Sequence, residues 1–230
     1  NQPMTKNLLT SAVLAGVAAG LIAALLQFTF VISHLMEGEL YETGERIHFA
    51  TDGSTQSDRI QPSIGTDFAR HGMTLAFNMI TYTGYGLILL ALMVFANGKG
   101  HGITPRIGLI WGVAGFVAVQ LAPGIGQPPG LPGTIGSEVG PRQAWWAMTI
   151  IVTAIALALI AFSKRWTALL SVPLLLAPHL IGAPYLDTYF GVAPPELSAR
   201  FAALSFGTAL AGWSSLGFLC AWFWTKADAA

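Results

Sequence analysis

Three histidines, His34, His71 and His179, sit at the edges of long uncharged stretches, and Glu37 follows the first of them by three positions. Neutral imidazole is a common ligand for borderline divalent metals, and carboxylates add hard oxygens. His34 and Glu37 share one helical face if a helix continues that far, because positions three apart are neighbours on a helix. Glu39, Glu42 and Glu45 come next, with His48 three residues after Glu45. Such a run of acids raises the local concentration of cations. The expected chemistry is therefore metal capture, with His34, Glu37, His71 and His179 as ligands and Met36 and Met73 as nearby soft donors. The spacing is not a closed ligand motif like the paired Cys and His of zinc sites. A solvated acidic loop with interfacial histidines gives the same pattern.

The elements that must position these groups are set by charge. Residues 7–36, 71–98, 107–137, 143–163, 166–186 and 201–225 contain no Lys, Arg, Asp or Glu. Each run has at least the roughly 20 residues needed to cross a hydrocarbon layer as a helix, and a charge at the bilayer centre costs several kcal/mol. The chain is 53% hydrophobic and 10% charged, against about 25% charged in soluble domains. The expectation is an all-α integral membrane protein of about six transmembrane helices in three hairpins, using 1–230 as a single domain. Lys6, Lys99, Arg106, Lys164, Arg165 and Lys226 punctuate one side, with Asp228 as its one acid. Short basic loops mark the cytoplasm, so both termini are expected there. Residues 37–70 then form an acidic periplasmic loop, and 123–142 and 183–199 form Pro/Gly-rich ones. Met4 reads as a natural start, and the first run is too long for a cleavable signal core.

Within the runs, Ala12, Gly16, Gly20 and Ala24 recur every fourth residue, as does the Gly108 and Gly112 pair. Small residues at that spacing let helix backbones approach closely. The third run starts at Pro105 and is expected to break at Pro123. The fifth is barely long enough and carries Pro173 and Pro178, so a kinked or broken helix is expected near them, facing protein or water. Trp145, Trp146, Trp166, Trp222 and Trp224 lie near expected helix ends, where interfacial anchors belong. A short repeat links Leu121-Ala122-Pro123 and Ile125-Gly126 to Leu176-Ala177-Pro178 and Ile181-Gly182. Prolines at matching positions of repeats point to a transport site, which makes Gln27, Asn78, Gln120, Pro123 and Pro178 the candidate substrate pathway. The amides serve equally well as glue between helices.

Much is excluded. Cys220 is the single cysteine, so there is neither a disulfide framework nor a thiolate cluster. Zero net charge gives no reason to expect nucleic acid. No nucleophile–base pair, phosphate loop or zinc-protease motif is visible, so neither an enzyme nor a bound cofactor is expected. No acid or base lies at mid-depth, where a proton-coupled pump usually needs one.

The stretch from Leu121 to Gly133, with its Pro128-Pro129-Gly130-Leu131-Pro132-Gly133, and the following Arg142-Gln143-Ala144-Trp145-Trp146 resemble the signature of the CbtA family. Pro178-His179 through Pro184 and Glu39-x-Tyr41-Glu42 fit the same pattern. The resemblance covers about Leu8 to Trp224. It implies a multi-pass inner-membrane subunit for uptake of a divalent transition metal, cobalt first, in support of cobalamin synthesis. Cobalt or a similar ion would be cargo. It also implies a small CbtB-like partner with one membrane helix and a histidine-bearing tail, in addition to contacts with lipids. The competing expectation is a non-transporting scaffold subunit of a larger membrane complex.

Overall fold

Uncharged runs bounded by Asp, Pro and Gly give helices whose ends follow those residues. The computed structural model describes residues 2–49 and 51–228, and every regular element among them is helical. They are α1 (Gln2–Phe30), α2 (Ile32–Glu42), α3 (Phe68–Asn97), α4 (Pro105–Phe116), α5 (Ala122–Gly126), α6 (Val139–Phe162), α7 (Arg165–Ala168), α8 (Ser171–Ile181) and α9 (Pro195–Asp228). A π-helical turn, Val117–Leu121, joins α4 to α5. The Asp67 carboxylate caps α3 by accepting from the Arg70 amide at 3.0 Å, which satisfies one of the orphan donors of a helix start.

Among the described residues five helices are long and apolar enough to cross a membrane: Met4–Phe30, Phe68–Asn97, Pro105–Gly126, Val139–Phe162 and Pro195–Asp228. The third continues past Pro123 to Gly126 rather than breaking at that proline. Pro123 occupies the first turn of α5, directly after the π turn. A wider turn there and a helix start both spare the backbone donor that proline lacks. The run expected to be a sixth span is a shorter apolar segment, Arg165–Ile181. It is interrupted at Leu169–Leu170, a few residues before Pro173. Pro173 is the third residue of α8, where an N–H has no intrahelical partner to lose. Pro178 lies inside α8, and Gly182 ends it with φ +84°, a conformation that suits glycine.

The chain divides into two compact units, one of residues 1–27, 66–116 and 207–230, the other of 28–65 and 117–206. In the first, the small-residue stripe of α1 packs on α3. A methyl group at Gly16 would overlap the Thr83 backbone, and one at Gly20 the Met79 backbone, while Ala12 is fully buried. Gly108 and Gly112 of α4 meet Gly217 and Trp213 of α9 in the same way. Lipid tails are as apolar as side chains, so close packing rather than water exclusion holds such helices together. The Asn7 amide donates to the Ala227 carbonyl at 3.2 Å, so the first turns of α1 meet the last turn of α9.

In the second unit α6 and α8 run antiparallel. The Trp145 indole donates to the Pro178 carbonyl at 3.0 Å, and Ser137 Oγ donates to the Pro184 carbonyl at 2.9 Å. An apolar cluster of Val31, Tyr41, Leu131, Leu197 and Phe201 ties α2, the Pro/Gly-rich loop and the start of α9 together. Trp146, Trp166 and Trp222 are exposed as anchors should be, but Trp145 and Trp224 are buried in the protein.

Candidate functional site

Helix α2 does continue past His34 and Glu37, and both side chains turn inward, each 5% exposed. They line a cavity of about 550 Å³ that also draws on the 43–67 loop and the first turns of α9. Arg46 fastens that loop. Its Nη1 pairs with Glu37 Oε1 at 3.0 Å, and its Nη2 donates to the Ile60 carbonyl. Ile47 and Ser57 close the loop by exchanging bonds of 2.9 and 3.0 Å.

The Gln61 amide nitrogen stands 3.0 Å from His34 Nε2. An amide nitrogen only donates, so Nε2 accepts and the ring proton rests on Nδ1. A hydrogen bond to the Phe30 carbonyl is a further tie on the ring. Burial, and next the positive charge of Arg200, hold its pKa below the usual histidine value, against smaller opposing effects of Glu37 and that carbonyl. The imidazole is thus neutral at pH 7, with its lone pair covered by Gln61.

The other expected ligands, His179 and His71, are carried by α8 and α3. His179 stands edge-on to Trp145 with ring centroids 6.2 Å apart. His71 is in the first turn of α3, where its backbone amide donates to the Asp67 carbonyl at 3.0 Å. Among the described residues no group of three or more His, Cys, Asp or Glu is arranged to hold a metal ion. Glu37 is committed to Arg46, and Glu42 to the Gly133 amide at 3.1 Å, so these acids serve the fold before they serve a cation.

The proposed pathway residues are packed. Asn78 donates to Gln27 Oε1 at 3.0 Å and to the Thr74 carbonyl at 2.9 Å. Pro123 and Pro178 are fully buried, and Gln120 is half-buried in the π turn. Around Pro178 the sequence signatures converge. Tyr185 donates to the Gly126 carbonyl at 2.6 Å, and a methyl group at Gly126 would overlap the Trp145 ring and crowd Ala183. Gln61, Arg59 and Arg200 had no sequence signal as cavity residues. Gln61 and Arg59 lie in an irregular loop and depend on how it folds back, and Arg200 lies in the second turn of α9.

Five long apolar helices with buried small-residue contacts define a multi-pass helical membrane protein. The chain belongs to the CbtA family, whose model, described as a probable cobalt transporter subunit, matches residues 5–225. The family's described role, a transporter subunit, is not an enzymatic activity and implies partners in a complex. No curated protein and no solved structure matches the chain.

Proposed function

We propose that this chain is the membrane-embedded subunit for uptake of a divalent transition metal, cobalt first, across the bacterial inner membrane in support of cobalamin synthesis. Membership of the cobalt transporter subunit family over nearly the whole chain carries the reading. The substrate side is the cavity of His34 and Glu37, and the partner is a small single-helix, histidine-bearing subunit of the CbtB kind. Cells making the chain together with such a partner should accumulate radioactive cobalt several-fold above cells making neither. No accumulation in any combination would overturn the reading. A non-transporting accessory role has one observation in its favour: Gln27 and Asn78, polar groups within membrane-spanning helices, bond to each other. Under that role the partner alone would raise cobalt uptake, and this chain would add nothing to it.

We also propose six crossings, with both termini cytoplasmic. Two contacts support this. Asn7 touches Ala227, which fits an even number of crossings. The short segment Arg165–Ile181 starts at the far end of α6 and returns to place Pro178 against Trp145 near the start of α6, with Pro184 just beyond it bonded to Ser137. At ~1.5 Å per residue that segment is marginal for a bilayer, and the irregular residues that follow it to Tyr185 would have to complete the crossing. Cysteines placed singly at Ser54 and Tyr189 should react with an impermeant reagent outside intact cells, while cysteines at Lys99 and Lys164 react only after permeabilisation. Labelling of the Lys164 and Tyr189 positions from the same side would remove the sixth crossing.

A further inference from the structure

The cavity beside α2 is unlike a site for a bare ion. It is about 550 Å³, within the range of sites that hold small organic ligands and far larger than one dehydrated cation. Its lining carries both signs of charge. Arg59 and Arg200 bring two guanidinium groups, Glu196 brings a carboxylate, and His34 brings a neutral imidazole. Glu37 is already neutralised by Arg46, so positive charge prevails among the remaining groups. Among the described residues no three of His, Cys, Asp or Glu are arranged to hold a metal. A metal that stops in this cavity must therefore bring most of its own ligands.

We propose that the cavity binds a divalent metal as its chelate with a small multiply charged carboxylate. Guanidinium groups match carboxylates bidentately, so Arg59 and Arg200 hold the chelator's carboxylates. Glu196 adds one carboxylate against the two arginines, and His34 keeps its bond to the Gln61 amide at the cavity wall. A free phosphate or other plain anion is disfavoured by Glu196, and a hydrated dication by the two arginines. The inference rests on the transport reading for its biological sense, but the binding step is separable from it.

The test uses the full chain in lipid nanodiscs and three probes followed by calorimetry: cobalt(II) alone, citrate alone, and the cobalt–citrate complex. The complex is expected to bind more tightly than either component, and Arg59→Gln or Arg200→Gln should each weaken it by about tenfold, the value of a lost charged hydrogen bond. Arg200→Lys, which keeps the charge but not the fork, should recover part of the loss, and thermal unfolding of each variant reports whether it is folded. Equal or tighter binding of cobalt alone, tighter binding of citrate alone, or chelate binding untouched by both Gln variants would overturn the proposal. Binding without cobalt uptake in cells would leave the cavity assignment standing and remove the transport reading. Uptake of uncomplexed cobalt undiminished in both Gln variants would do the reverse.

Discussion

Arg46→Met is expected to destabilise the purified protein by about 3 kcal/mol, the cost of stranding a buried charge. Glu37 is 5% exposed, and Arg46 is its partner at 3.0 Å. The same guanidinium also holds the Ile60 carbonyl, so its loss frees the 43–67 loop as well as leaving Glu37 unpaired. The double variant Glu37→Gln/Arg46→Met removes both charges and should recover most of that loss, because a neutral amide tolerates burial far better than a lone carboxylate. Thermal unfolding in detergent, with limited proteolysis of the loop, measures both effects. If the single and double variants lose stability equally, the ion pair contributes nothing and the loop contact alone matters. A pair that is merely a surface contact would give a loss under about 1 kcal/mol.

What sequence made legible followed from long-range regularities. The absence of charge over six runs located every long helix, and the four-residue spacing of Ala12, Gly16, Gly20 and Ala24 marked the face of α1 that meets α3. Those signals survive because lipid penalises charge wherever the helices end up, and because close approach permits only small residues. The interior of α8 was less legible. Its prolines pointed to a break, but the interruption fell at Leu169–Leu170, since a proline near a helix start costs nothing. The site was least legible. The acids after α1 read as a cation-collecting surface, whereas Glu37 and Glu42 are spent on Arg46 and Gly133. Whether a carboxylate faces an ion or an arginine depends on how an irregular loop folds, and no periodicity encodes that. The CbtA signature was legible as a resemblance, and its physical meaning emerged only when Gly126, Trp145, Pro178 and Tyr185 were found at one packed junction.

Gly217→Ala is expected to be among the most damaging single-methyl changes in the chain, and Gly84→Ala nearly harmless, although both glycines sit within long apolar helices. At Gly217 an added methyl overlaps the Gly108 carbonyl and presses on the Gly112 backbone of α4. A flexible side chain yields to such pressure, whereas two backbones do so only if the helices separate. Overpacking ordinarily costs about 1–3 kcal/mol, and with no pliable partner the upper end of that range applies. At Gly84 nothing lies within 4 Å of the added atom, so the helix gains alanine's propensity, up to about 1 kcal/mol, without a steric cost. Gly16→Ala provides a third case, since it meets the Thr83 backbone on a different helix pair. Unfolding of the three variants in a graded denaturing detergent mixture should rank them Gly84→Ala above wild type or level with it, and the other two well below. Equal behaviour of Gly84→Ala and Gly217→Ala would show that the close α4–α9 approach is not what holds this unit together. Loss confined to Gly217→Ala would place the stabilising contact there and leave the α1 stripe as a tolerant surface.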